Sequence, residues 1–349
     1  VSVDLLQRLQ ELRVFDPVPP RAGLGLQHVP FDDMTGQTTT EAALRRCIES
    51  VGRVAVTGGT GVGKSSVIAH VLQQLPGVAP IQVRVEAEDD STVSEPAAFC
   101  AHLARTLVRQ LRRAGEIDPA EETALLAGSA GSRVLARTSS ARGALGLPGW
   151  MFRADVSRDV QTVVSATHVP SAAEHIERAQ DIVRAVGAHG LVPVIVIDDS
   201  DSWLATGLGD RRRLIEPFFG RVVRVLAEEM DAALVLAVHN RYFEMPEFPR
   251  GRGFLDQLVT IPALPSVGAL EAVLAIRIEV GAEDIALPDV MAPAAAFALF
   301  DAYRLLGSDL RRTLLVMHTA LQSACGADAE HVGQHHIEGA LAKYQEIPG

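Results

Sequence analysis

The sequence predicts an α/β fold, a parallel sheet flanked by helices, with a small C-terminal α-helical domain. Three stretches carry that prediction. Residues 52–70, GRVAVTGGTGVGKSSVIAH, read as an apolar strand that breaks into a glycine-rich loop and resumes as a helix. LVPVIVIDDSD, from Leu191, is a continuous apolar run ending in acids, the pattern of a strand buried on both faces of a parallel sheet. From Ser266 onward the apolar spacing is helical, with no strand between the helices.

Taken in order, residues 1–15 form an amphipathic helix with Val3, Leu6, Leu9 and Leu12 close to one face, and DPVPPRAGLGLQHVP then interrupts regular structure. PFDDMTGQTTTEAALRRCIES reads as a turn and a helix capped by Thr39 or Thr40. After the loop helix, IQVRVEAE at 81–88 alternates as a second strand, and a helix runs from Pro96 to about Ala114. Residues 115–150 are rich in Gly, Ala and Ser without a clear period and read as an insertion, ending in a hairpin or ribbon at WMFRADVSRDVQTVVSATHV. SAAEHIERAQDIVRAVGAHG is a helix that Gly190 can close; the strand LVPVIVIDDSD follows, then the helix RRRLIEPFFGRVVRVLAEEM and the strand DAALVLAVHN. A loop containing PRGRGFLDQ leads to a last strand, LVTIPALP, before about four helices. Expected boundaries are therefore an N-terminal helix and linker at 1–30, an α/β domain at 31–265 with an insertion at about 115–170, and a helical lid at 266–349.

Composition narrows the class. A 48% apolar and 21% charged chain of 349 residues is that of a globular protein. No apolar run reaches the roughly 18 residues of a membrane span, and the N-terminus lacks the order of a signal peptide, so a cytoplasmic protein without membrane contact is expected. Cys47, Cys100 and Cys325 are widely spaced and form neither a disulfide framework nor a zinc motif. A net charge of −11 argues against a surface coated in positive potential, though not against a local basic patch.

The chemistry concentrates in the loop. Gly58, Gly63, Lys64 and Ser65 fill G-x-x-x-x-G-K-[ST], and Gly59 and Gly61 leave the intervening backbone almost bare. Backbone N–H groups can converge on phosphate oxygens only where no Cβ blocks them, and the following helix presents its unpaired donors to the same anion. Lys64 then meets the β- and γ-phosphates as a point charge, and Ser65 offers its hydroxyl to Mg²⁺. Only Lys64 and Lys343 are lysine in a chain whose other basic residues are arginine, which singles out a compact ammonium here. Asp198, at the end of VIVID, is placed for the water shell of Mg²⁺, and Asp199 either orients or deprotonates a water or serves as a turn residue, as do Ser200 and Asp201. Asn240 ends the next strand beside His239, where an amide can donate to phosphate and accept from water. The guanine-reading N-K-x-D motif is missing, so ATP is the expected nucleotide. His331, His335 and His336 read as an exposed helix face, Arg211, Arg212 and Arg213 as a charged helix start, and Trp150 and Trp203 as half-buried or partner contacts.

The order of these parts resembles the AAA+ ATPases over roughly residues 30–345, and within them the origin-recognition and initiator-type branch. Gly58, Gly59, Thr60, Gly61, Val62, Gly63, Lys64, Ser65 and Ser66 look like their Walker A segment, VIVIDD like Walker B, and VHNR like sensor 1 with Asn240. PRGRGFLD, with Arg250 and Arg252, is similar to the segment that carries arginine fingers. GSDLRRTL resembles sensor 2, with Arg311 as the sensor arginine and Arg312 beside it. In many phosphate-loop ATPases the lead-in segment passes over the adenine, which makes Phe31, Met34 and Gly36 candidates. The resemblance implies a P-loop NTPase fold of AAA+ type, ATP and Mg²⁺ as cofactors, and a homo-oligomer, ring or filament, completed by ATP. It further implies a DNA transaction such as initiation, transposition or defence, with DNA and protein partners as candidates. Many members place Glu after the Walker B aspartate; Asp199 is one methylene shorter, and implies hydrolysis that is slow or partner-stimulated. The chain ends just after the lid, so a member lacking the winged-helix domain is expected. A signalling switch of the STAND type is the alternative.

Overall fold

The computed structural model describes residues 2–17, 24–85, 90–113, 115, 117–127, 170–188, 190–200, 204, 212–245 and 248–345. The hairpin expected at 150–169, most of the insertion, and Trp150, Asp201, Trp203 and Arg211 lie outside them. The chain forms two compact units: Val1–Ala42, Gly58–Val71 and Thr260–Gly349 make the first, and Ala43–Thr57 with Leu72–Val259 the second.

The second unit is built on a five-stranded parallel sheet, with strands β1 (Arg53–Gly58), β2 (Val78–Val83), β3 (Val192–Ile197), β4 (Ala233–His239) and β5 (Gln257–Thr260) in the spatial order β2-β3-β4-β1-β5. Val78 to Val83 pair with Val192 to Ile197, and Val194 to Ile197 with Ala233 to Leu236, all in parallel. The central strands are apolar at consecutive positions because both faces are covered: Val194 through Ile197 and Ala233 through Val238 are buried without exception. On one face lie Phe99, Leu103 and Leu107 of the helix Pro96–Arg113 and Ile182 and Val183 of the helix Ala172–Gly187, together with Phe218 and Phe219. Ser171 caps the second of these helices in a reciprocal box with Glu174.

Several expected elements move. β2 begins at Val78 rather than Ile81, since the edge is set by pairing with Val192 and the chain turns in at Gly77, φ 79°. Within the region read as an unpatterned insertion, Pro119–Ala127 is helical. The helix after β3 is interrupted: Pro217 lacks an N–H, and Phe218–Val222 widens into a π turn in which the Val223 amide bonds the Phe218 carbonyl. PRGRGFLDQ, expected as a loop, begins as a short helix, Phe248–Arg252, because Phe248 and Gly251 bury against Phe219, with the two phenyl rings edge-to-face at 5.3 Å.

In the first unit the helices Val267–Gly281, Pro293–Leu305, Leu310–Gly326 and Gln334–Gln345 pack together, with a short fifth, Leu287–Val290, between the first two. The N-terminal helix, Ser2–Glu11, joins them through Leu6 and Leu9, both fully buried, whereas Leu12 is past its end and 48% exposed. Arg277, itself buried, donates to the carbonyls of Asp16 at 2.9 Å and Val14 at 3.5 Å, fixing the chain where it leaves that helix. Cys47 and Cys100 are buried thiols and Cys325 is half-buried; burial pushes Cys100 up to about 12 and leaves it unreactive. Among the described residues no helix is long and apolar enough to cross a membrane.

Candidate nucleotide site

The glycine loop has the backbone that its composition requires. Gly61 and Gly63 take φ of 73° and 108°, where L side chains are strained, and a Cβ on Gly58 would lie 2.7 Å from a Val62 methyl. Lys64 opens the helix Lys64–Gln74, and its Nζ donates to the carbonyls of Gly58 at 3.0 Å and Gly59 at 2.8 Å. The ammonium is thus moored inside the curve of the loop rather than left to wander on a four-carbon stem. Thr60 is exposed at the loop tip, and Gly59, Ser65 and Ser66 are partly buried. A loop with these dihedrals, an inward ammonium and a helix N-terminus behind it fits a polyphosphate.

A strap of chain runs along the loop helix in the same unit. Ser66 Oγ donates to the Leu24 carbonyl at 3.1 Å, His70 Nδ1 lies 3.2 Å from the Gly25 carbonyl, and His28 Nδ1 lies 3.1 Å from Ser66 Oγ. His28 is buried and its Nε2 lies 2.8 Å from Glu41 Oε1. Glu41 also accepts the amides of Phe31 and Asp32, each at 2.9 Å. Burial raises the Glu41 carboxyl, but His28 and the two amides outweigh it and hold it below its ordinary value. Phe31 ends beside the loop, its ring 3.8 Å from where a Cβ on Gly63 would stand; Met34 is half-buried, and Gly36, φ 68°, closes the short helix Phe31–Thr35. The helix Glu41–Glu49 is not capped by a threonine as expected. Thr40 Oγ1 is buried without a hydrogen-bond partner, Thr39 is exposed, and it is the Asp32 carboxylate that accepts the amides of Thr40 and Ala42.

Arg311 belongs to this unit as well. Its amide donates to the Gly61 carbonyl at 3.3 Å and its side chain is exposed. His336 departs from the exposed face expected of it: it is buried, and its Nδ1 accepts the Gly333 amide at 3.0 Å. Among the described residues no three His, Cys, Asp or Glu gather in a metal-binding group.

The remaining candidates sit in the second unit. β3 and β4 are neighbours, so Asp198 and Asn240 leave the sheet from adjacent strand ends, and β1 is the other neighbour of β4. Asp198 Oδ1 accepts the Asp199 amide at 2.8 Å, and Asp199 adopts a left-handed φ of 59°. Buried Ser200 fastens this turn by donating to the Ala237 carbonyl at 2.5 Å. His239 is a cap: its Nδ1 accepts the Arg241 amide at 3.0 Å at the start of the 3₁₀ turn Asn240–Glu244, which leaves Asn240 exposed. Arg250 pairs with Glu216, and Arg252 donates to the Leu255 carbonyl at 2.7 Å, both within the unit. Arg213, in the segment read as a charged helix start, pairs with Asp90 at 2.7 Å. The carboxylate of Asp198 and the hydroxyl of Ser65 are hard oxygen donors of the kind that suit Mg²⁺.

Sequence reasoning missed the His28–Glu41 pair and the bond from Ser200 to the Ala237 carbonyl, because each joins residues distant in the chain. The fold is similar to the ORC2 protein of Aeropyrum pernix in its ADPNP–ADP complexes, at 16% identity over 97% of this chain and 72% of that one, with a TM-score of 0.53. It is also similar to Aeropyrum pernix ORC1 in complex with DNA, at 17% identity over 93% and 69% and a TM-score of 0.48. Drosophila ORC bound to DNA matches at 15% identity over 99% and 67%, also with a TM-score of 0.48. A search of curated proteins gives no match. Residues 48–245, more than half of the chain and the stretch that contains the phosphate loop, Asp198 and Asn240, match the AAA domain family, and the chain belongs to it.

Proposed function

We propose that the protein binds and hydrolyses ATP with Mg²⁺ and acts as a nucleotide-controlled oligomeric switch in a DNA transaction. The observation that carries this reading is the loop itself: positive φ at Gly61 and Gly63 around an ammonium moored on the Gly58 and Gly59 carbonyls. In this reading Gly58 to Ser66 cradle the phosphates. Ser65 and Asp198 hold Mg²⁺, which supplies charge neutralisation at the transferring phosphoryl group. Asp199 orients the attacking water and Asn240 contacts the γ-phosphate. Arg250 or Arg252 leaves its partner within the chain to serve a neighbouring subunit, and Arg311 carries the nucleotide state into a helical lid at 266–349. DNA is the proposed partner because the order of the phosphate loop, VIVIDD, VHNR and GSDLRRTL resembles the initiator-type branch.

Lys64→Ala tests the core of the proposal. Nucleotide binding and turnover should both fall to background in that variant, and turnover equal to wild type would overturn it. Mass measured in solution with ADP, with a slowly hydrolysed ATP analogue, and with the analogue plus DNA tests the rest. Assembly that requires the analogue supports the switch, and a monomer under all three conditions removes the trans-acting arginine.

A further inference from the structure

Asp309 stands immediately before the helix Leu310–Gly326 and caps it, its Oδ1 accepting the Arg312 amide at 3.0 Å. The carboxylate is buried, and its second neighbour is the middle of the phosphate loop. A Cβ built on Gly61 would lie 1.9 Å from Asp309 Oδ1, 2.6 Å from its Cγ and 3.0 Å from Arg311 Cβ. The Arg311 amide joins the same seam by donating to the Gly61 carbonyl at 3.3 Å. In the sequence this residue is one unremarked position of GSDLRRTL; the fold puts a negative charge against backbone whose conformation suits anions.

We infer that Asp309 is a residue of the nucleotide site that opposes it, a fixed charge that makes docking of the helix on Gly61 and binding of a triphosphate compete. The inference rests on the reading of residues 58–66 as a phosphate site. Its physics is linkage: phosphates that repel the Asp309 carboxylate weaken its seat on the loop, and the seated carboxylate weakens phosphate binding by the same factor. Arg312 offsets part of the charge, its Nε 3.4 Å from Asp309 Oδ2, but that side chain is 55% exposed and its effect is screened by solvent. Arg311 rises from the same turn with the opposite sign. The helix therefore brings an attraction and a repulsion to the loop together, and their balance sets how strongly it distinguishes nucleotide states.

The test is Asp309→Asn, because asparagine caps a helix as well as aspartate and removes only the charge. Nucleotide affinity is measured by titration calorimetry on the full chain, at low and at high salt, beside the wild type and Lys64→Ala. ATP should bind the Asn variant about tenfold more tightly at low salt, roughly 1.4 kcal/mol, and the gain should shrink as salt rises. Asp309→Ser, a second uncharged cap, should do the same, which guards against an accident of one side chain. Unchanged or weaker ATP binding in both variants overturns the inference, as does a gain that salt leaves untouched. If wild type and Lys64→Ala bind ATP equally, the phosphate-site reading itself fails. If wild type alone binds and the uncharged caps change nothing, only the role of Asp309 fails.

Discussion

Removing the Glu41 carboxylate should cost far more than a surface acid would. The side chain is buried, and its two oxygens receive three donors: His28 Nε2 at 2.8 Å and the amides of Phe31 and Asp32 at 2.9 Å. Glu41→Ala leaves all three without their acceptor in a place water reaches poorly, and breaking one side of such a buried pair typically costs about 3–5 kcal/mol. Glu41→Gln retains the shape and one carbonyl oxygen but turns the other acceptor into a donor facing an amide, for a loss of about 1–3 kcal/mol. Guanidinium titrations followed by circular dichroism measure both, with the slope of the transition held common to the series. A loss below about 1 kcal/mol for Glu41→Ala, the scale of an exposed ion pair, would refute the reasoning. Acid supplies an independent check. The folded carboxyl titrates below its ordinary 4.5, so its contribution is complete above that value and disappears as pH falls through the lower folded value. Glu41→Gln should flatten this part of the acid limb.

Two further substitutions probe packing in each unit. A methyl on Gly251 would meet Phe219 Cβ at 2.8 Å and the Phe219 carbonyl at 3.0 Å, so Gly251→Ala should destabilise by about 1–3 kcal/mol, and an unshifted denaturation midpoint would contradict the contact. Arg277→Met keeps the aliphatic bulk but strands the carbonyls of Val14 and Asp16; a loss of about 1–3 kcal/mol is expected, with faster protease cleavage near residue 16 as the local readout.

Features written within a few consecutive residues were legible in the sequence. Six apolar residues in a row announced β3 because a strand covered on both faces has no polar position to spare, and the glycine loop announced itself because its dihedrals tolerate little else. Features that depend on a distant partner were not. His28 owes its place to Glu41 and to Ser66, 38 residues on, and nothing in the local spacing of these residues marks them as neighbours. The helix Phe248–Arg252 contains proline and glycine, poor helix formers, and is helical because it covers Phe219. The adjacent threonines are the expected cap of the helix Glu41–Glu49, yet a carboxylate eight residues upstream of Thr40 does that work. Ser200 and Asp309 look like ordinary turn and cap residues until the strand or loop opposite each of them is known.

The left-handed turn at Asp199 has a consequence for redesign. In that backbone region aspartate is among the few non-glycine residues that sit comfortably, its short side chain bonding locally, whereas a longer acid would bear a cost of roughly 1–2 kcal/mol. The choice of aspartate over glutamate after Asp198 is thus made by the main chain before any reaction is considered. Installing the longer acid to quicken the protein would first have to rebuild the turn, starting with the Ser200 hydroxyl that pins it to β4.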